Sequence, residues 1–217
     1  MEINLLNKYP KTKRNLDERK NLKSEEVREI ARKFGKEFFD GDRKYGYGGF
    51  NYNSKYWSEV VLTFKDFWKI KEGDSLLDIG CAKGFMIYDF YRQINNIQLK
   101  GIDISNYAIE NSHEEIKKFL SVADAKSLPF DDGSFDHVIS INTIHNLDID
   151  DCIKAIKEII RVSKKNSFIT VDAFKSDEEK KRMFDWNLTA KTILSVDEWK
   201  NLFKEIGYEG DFFWFTP

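Results

Sequence analysis

The sequence predicts an open α/β fold: a mostly parallel β-sheet with helices on both faces and a helical cap at the N-terminus. Three observations carry this prediction. From Ser75 onward, short apolar runs alternate with helical stretches, the pattern of successive βαβ units. Before Ser75, apolar residues recur at helical spacing. A chain of 217 residues, 41% of them hydrophobic and 15% aromatic, also holds ample apolar surface for a packed core.

In chain order, Ser24 is placed to cap a helix whose first turn holds Glu25 and Glu26, where the helix dipole favours anions. Val27, Ile30, Ala31, Phe34 and Phe38 continue it as one apolar stripe. A second stripe follows, Trp57, Val60, Val61, Phe64, Phe67 and Trp68, closed by Gly73. Between them lies RKYGYGGFNYNSKYW (43–57), too rich in glycine for a helix and too aromatic for a plain linker. Residues 1–72 are therefore expected to form the cap and an aromatic, glycine-rich lid, and residues 73–217 the sheet domain.

In that domain the apolar runs at 76–79, 99–104, 121–125, 135–141 and 167–171 read as strands. Residues 85–94, 107–120 and 151–162 read as the intervening helices, the last with Cys152, Ile153, Ile156, Ile159 and Ile160 on one face. Toward the end, 188–194 reads as a strand, 196–206 as a helix stopped by Gly207, and 211–216 as a final strand, with 212–215 in the core.

Charge and composition exclude several classes. The balance of 35 Lys+Arg against 37 Asp+Glu, a net −2, argues against a dedicated nucleic-acid binder. The basic residues at 8–23 are interleaved with Asn and acids, so they read as a solvated, partly mobile arm, with a nucleic-acid arm as the sharper alternative. No apolar run approaches the roughly 18–20 residues that cross a bilayer, and the polar start does not resemble a signal peptide. Cys81 and Cys152 form no CxxC pair, and His113, His137 and His145 lack ligand spacing, so neither metal nor disulfide is expected. A cytoplasmic protein, monomer or homodimer, is the expectation.

The chemistry concentrates in LLDIGCAKG (76–84), a buried strand running through a glycine turn into a helix. Gly80 and Gly84 lack the β-carbons that would keep a ligand from the backbone, and the following helix offers free N–H groups. Asp103, at the end of the next strand, can take both hydroxyls of a ribose, one per carboxylate oxygen. Asp124, at the end of the third, can accept an amino proton from an adenine. Ala82 stands where a dinucleotide site has its second glycine, which tilts the site toward a nucleoside without phosphates.

Together with GIDI (101–104), ADAKSLPF (123–130) and DGSFDHVISINTIH (132–145), these segments resemble the class I S-adenosylmethionine-dependent methyltransferases over residues 75–173. The resemblance implies a Rossmann-like fold and S-adenosyl-L-methionine as methyl donor, with S-adenosyl-L-homocysteine as product. It implies that Asp78, Gly80, Cys81, Ala82 and Gly84 surround the methionine part of the donor. Asp103 and Ile104 would meet the ribose and adenine edge, Asp124 and Ala125 the adenine amino group, and Asn142 and Thr143 would border the methyl.

A sulfonium donor is already activated, so alignment and exclusion of water are the main requirements. His145, just past the fourth strand, is the leading candidate base, and Asp172 is the second. His137, beside a strand entrance, reads as structural. Tyr45 and Tyr47 in the lid are candidates to face a cationic acceptor or the sulfonium. Arg43 or Lys44 could instead hold a carboxylate or phosphate. The expected partner is a small-molecule methyl acceptor, transfer going to oxygen or nitrogen, with no nucleic acid and no membrane. A tRNA or other macromolecular acceptor, or a donor-binding module without catalysis, is the alternative.

Overall fold

The computed structural model of the protein describes residues 1–11, 16–48 and 50–216. Residues 12–15 of the expected basic arm and Gly49 of the expected lid lie outside the described residues. The N-terminal part holds α1 (Leu16–Leu22), α2 (Glu25–Arg32), α3 (Lys36–Asp40) and α4 (Ser54–Trp68). The alternating part follows as β1 (Ser75–Ile79), α5 (Phe85–Gln93), β2 (Gln98–Asp103), α6 (Asn106–Glu110), β3 (Leu120–Val122), β4 (Phe135–Ile141) and α7 (Ile149–Val162). It ends with β5 (Ser163–Phe174), α8 (Asp177–Trp186), β6 (Leu194–Ser195), α9 (Val196–Glu205) and β7 (Asp211–Phe215).

The strands form one sheet in the order β3-β2-β1-β4-β5-β6, with β7 also on β5, and these strands pair in parallel. The order reverses at β1, so the open crevice of this Rossmann-like sheet falls at the C-terminal ends of β1 and β4. Side chains alternate between two cores, as strand period dictates. Leu77 and Ile79 of β1 pack with Ile156, Ile159 and Trp199 on one face, whereas Leu76 packs with Val60, Phe64 and Phe90 on the other. Each such aliphatic side chain contributes about 1.5–3 kcal/mol by leaving water.

Packing draws the cap more narrowly than residues 1–72. Val60, Val61 and Phe64 of α4 are buried in the same core as Leu76, Phe90 and Phe168, so α4 belongs to the sheet's helical layer. The first residues do too: Glu2 bridges Phe212 of β7 in parallel, and Leu5 joins that core. Within the expected arm, α1 is an ordered helix packed on α8, and Arg19 is buried. Its guanidinium donates to the Arg43 and Gly46 carbonyls at 3.1 Å each and lies over the Tyr47 and Trp186 rings.

Four further expectations are corrected. The helix after Ser24 breaks at Phe34, whose φ of 47° turns the chain so that α3 starts afresh. The helix expected over 107–120 is limited to α6, because the His113 N–H turns back toward the Lys83 carbonyl (3.4 Å). Residues 188–193 are not a strand; their N–H groups go to Tyr47 and to the His145 carbonyl instead of to a ladder. Lys69, in the left-handed region at φ 55°, ends α4 in place of Gly73. The pattern also missed α8, a mostly charged helix with Met183 as its one buried residue. No helix among the described residues is long and apolar enough to cross a membrane.

Candidate active site

Three neighbouring strand tips, those of β1, β2 and β3, bring the sequence-derived candidates together. The turn after β1 needs three positive φ values, at Gly80 (81°), Ala82 (51°) and Gly84 (77°). What fills the space beside the glycines is protein. A β-carbon at Gly80 would stand 2.1 Å from Thr143 Oγ1, and one at Gly84 would stand 2.6 Å from Ile116 Cδ1. These glycines therefore allow the turn to seat against the loop after β4 and against the core. Thr143 donates its hydroxyl to the Ile141 carbonyl (3.0 Å), and Asn142 Oδ1 accepts from Thr170 on β5 (3.1 Å). Thr143 is thus tied to the backbone of β4 and Asn142 to a side chain of β5.

Asp103 staples the site. One carboxylate oxygen accepts the Ala82 N–H and the other the Ser105 N–H, each at 2.8 Å, tying the turn after β1 to the turn after β2. Burial raises its pKa against the opposing pull of those N–H bonds. Each oxygen retains a second lone pair for a hydroxyl. Beside it Ile104 leaves 56% of its surface exposed, an apolar plate at the strand tip. Asp124, past β3, accepts the Lys126 N–H (3.0 Å) and stays partly exposed, with Ala125 against the core. Cys81 is buried, and burial together with the charges of Asp78 and Asp103 pushes its thiol up.

Asp78 is buried on β1, and burial plus the nearby Asp103 charge push its carboxyl up to about 8. Unfolded, the same group would titrate near 4. The native chain thus holds a proton that the unfolded chain has released, and this group's contribution to stability falls as pH rises from about 4 to 8. His145 acts oppositely, because burial lowers its pKa despite Asp172; its contribution is lost as pH falls below about 6.5. Between about pH 6.5 and 8 only the Asp78 effect of the two remains. Denaturant melts of the ligand-free chain are expected to lose about 1–2 kcal/mol across that interval, and Asp78→Asn is expected to flatten the loss. Equal slopes in the two proteins would contradict the Asp78 titration.

Past the end of β4, His145 lies in a short 3-10 turn (Ile144–Asn146) and is buried. Its Nδ1 accepts the Asp172 N–H at 2.8 Å, so the neutral ring carries its proton on Nε2. That geometry suits a donor and leaves no vacant nitrogen for a base, which corrects the leading expectation. Asp172, at the end of β5, is buried with Oδ2 accepting from Asn187 Nδ2 at 3.0 Å. His137 lies at the opposite sheet end, between Asp74 (3.3 Å) and Asn166 (3.1 Å) and stacked on Trp68, consistent with its structural reading.

The lid residues part company. The Tyr47 ring is half-buried but its hydroxyl is deep, accepting the N–H groups of Leu188 (2.8 Å) and Thr189 (3.3 Å). Burial and the Asp172 charge raise its pKa. Tyr47 therefore fastens the cap to the 187–192 segment over β5. Tyr45 sits in the 3-10 turn Arg43–Tyr45 with the Lys44 ammonium 4.8 Å above its ring. Arg43 bends onto the Gly46 carbonyl (3.0 Å).

Sequence reasoning missed the other end of this fastening. Lys83, inside the β1 turn, is buried, and its ammonium contacts Asp40 Oδ2 (2.6 Å) and the Phe50 carbonyl (3.0 Å). Tyr107 donates to the same Asp40 oxygen (2.8 Å), and Ser105 donates to the Phe34 carbonyl. Burial raises the Asp40 carboxyl, but the hydrogen bonds from Lys83 and Tyr107 and the Lys83 charge outweigh it and hold the group low. A lysine within a glycine turn was the available signal. Nothing in the pattern marked Asp40 or Asn187.

Residues 70–210 match the family model described as a methyltransferase domain. The chain is 25% identical over 188 residues to a 27-O-demethylrifamycin SV methyltransferase of Amycolatopsis mediterranei, covering 74% of this chain and 67% of that protein. It is 32% identical over 148 residues to a tRNA (carboxymethyluridine(34)-5-O)-methyltransferase of Arabidopsis thaliana, covering 66% of this chain and 33% of that protein. The chain thus spans about two-thirds of the first relative's length and a third of the second's. Among solved structures, the complex between the Haloferax volcanii Trm112 methyltransferase activator and a methyltransferase is similar in fold. The TM-score is 0.54 at 21% identity, covering 68% of this chain and 71% of that one.

Proposed function

This chain belongs to the methyltransferase-domain family, and from that premise we propose that it transfers a methyl group from S-adenosylmethionine to oxygen or nitrogen of a small-molecule acceptor. The observation that carries the reading is Asp103. Its two oxygens accept the Ala82 and Ser105 N–H groups, which fixes a buried carboxylate acceptor at the tip of β2, between the β1 turn and the exposed Ile104. That set fits a ribose with a flat base beside it. The residues of this crevice suit the donor: Asp103 for the ribose, Ile104, Asp124 and Ala125 for the adenine, and the turn Gly80–Gly84 with Asp78 for the methionine part.

When bound, the donor supplies a methyl group already activated by the positive sulfur. The protein's own part is orientation and dryness. Thr143 against Gly80 fixes the wall that separates donor and acceptor sides. The cap is fastened at Lys83 beside the β1 turn and at Tyr47 on the 187–192 segment, and so borders the crevice from one side. A cap of this kind favours a small acceptor over a polymer. His145 offers Nε2–H to orient an acceptor oxygen, and Asp172, held by Asn187, takes a proton where the acceptor enters protonated.

The reading is tested by calorimetric titration of S-adenosylhomocysteine, with a nicotinamide dinucleotide and an RNA hairpin as competing ligands. Saturable uptake of the first alone is expected. Absence of that uptake by folded protein overturns the donor site, and RNA binding that falls steeply with salt overturns the small acceptor. Among variants with a turning-over acceptor, Asp172→Asn is expected to lower kcat. His145→Gln, which keeps a donor, is expected to alter KM more than the pH profile.

A further inference from the structure

A cleft of about 430 Å³ opens between α2 and the segment that follows α8, with Asn187 at its floor and Arg28, Arg32 and Lys191 among its walls. Its size is that of a small-molecule site. One wall is the buried 187–190 segment, which backs onto Asp172 and His145. Asn187, the floor residue, holds Asp172, and the His145 carbonyl accepts the N–H groups of Lys191 and Thr192 at 3.0 Å each.

Its charge is unbalanced. Glu25, the acid in the wall, is engaged by Arg32 at 3.3 Å, and at the rim Lys191 meets Asp148 at 2.9 Å. Arg28 has no such partner among the described residues. Its Nη1 reaches the neutral oxygens of Asn187 (3.5 Å) and Leu188 (3.4 Å), both at the long end of hydrogen bonding. Nearby, burial and then the Arg28 charge pull the Lys23 ammonium down to about 8. Burial and then the Arg32 charge likewise lower Arg28 itself. Cations crowded in this way form a field that an anion relieves, and a guanidinium with only neutral, long contacts is free to turn its fork onto an oxyanion.

We infer that this cleft binds an oxyanion of the methyl acceptor, a carboxylate or a phosphate, with Arg28 as its main anchor and Arg32 and Lys191 assisting. The inference rests on the small-acceptor reading and narrows it to acidic acceptors. The acceptor's reactive atom would lie inward, past Asn187, toward Asp172 and His145. Arg28 acts here as a specificity-determining residue, remote from the methyl.

The test uses the full chain with inorganic phosphate and, separately, succinate as probes, followed through the amide resonances of residues 187–192. Saturation by at least one probe in the millimolar range is expected; phosphate alone or succinate alone identifies the class of oxyanion. Arg28→Gln is expected to weaken that binding by about tenfold or more, and Arg28→Lys by less. Should Arg28→Gln not fold, Arg32→Gln and Lys191→Gln carry the comparison, each with a smaller loss. No saturation by either probe, or wild-type binding in the glutamine variants, overturns the inference. Binding confined to RNA overturns it too. Titration of S-adenosylhomocysteine into the same wild-type samples reads the donor site separately, so its failure is distinguishable from failure of the anion site.

Discussion

Asp103→Ala is expected to reduce affinity for S-adenosylhomocysteine by about a hundredfold or more. Two hydrogen bonds from ribose hydroxyls to a charged acceptor are worth about 1.5–3 kcal/mol each, and each 1.4 kcal/mol or so is tenfold. The variant loses more than a ligand contact. The Ala82 and Ser105 N–H groups, both donating to this carboxylate at 2.8 Å, would be left in a buried corner. Leaving each unpaired costs about 1–3 kcal/mol, so a stability loss of about 2–6 kcal/mol is expected alongside the binding loss. Calorimetry and denaturant melts separate the two. Unchanged affinity in a destabilised variant removes Asp103 from the ribose and leaves it as a staple; unchanged stability removes the staple.

Asp40→Ala should be nearly as damaging, although Asp40 lies in a short helix far from the motif in sequence. It strips the carboxylate from the Lys83 ammonium, which is only 6% exposed and retains the Phe50 carbonyl. Removing one member of a buried pair costs about 3–5 kcal/mol, reduced here because the Asp40 side chain is 27% exposed and water can reach the gap. A loss of about 2–3 kcal/mol, roughly 5–10 °C in melting temperature, is expected. Lys83→Met, which removes the buried charge itself and leaves Asp40 to Tyr107 and water, should be milder. Hydrogen exchange checks the location: in Asp40→Ala protection should fall first in residues 34–52. Uniform loss across the sheet would instead make the pair an ordinary core contact.

The legible parts of the chain were those in which one physical constraint acts along a continuous stretch. The strands β1, β2 and β4 must bury both faces, so their apolar runs stand out, and β4 falls at the expected residues 135–141. The turn after β1 requires positive φ at fixed offsets, which is why glycine marks it. The capping box of α9, with Ser195 and Glu198 reciprocally bonded, is local chemistry of the same kind. By contrast, α8 buries one side chain and shows little stripe to detect. Phe34 breaks an otherwise continuous apolar stripe because a left-handed residue carries the chain on toward Ser105, a contact 71 positions away.

By itself, then, the order of apolar runs, glycines and acids determined a parallel α/β sheet with Asp78, Asp103 and Asp124 at its strand ends, because each of those demands is set by neighbours in the chain. Only the tertiary structure decided which nitrogen of His145 is engaged, what fastens the cap at Lys83 and Tyr47, and that Arg28 faces a cleft with its Nη1 on the neutral oxygens of Asn187 and Leu188. Those features come from pairs separated by 27 to 160 residues, as in Asp172 to His145 or Leu188 to Arg28. A hydrogen bond or ion pair of that reach leaves no periodic trace, since its strength depends on where folding brings two groups and on how much water remains between them.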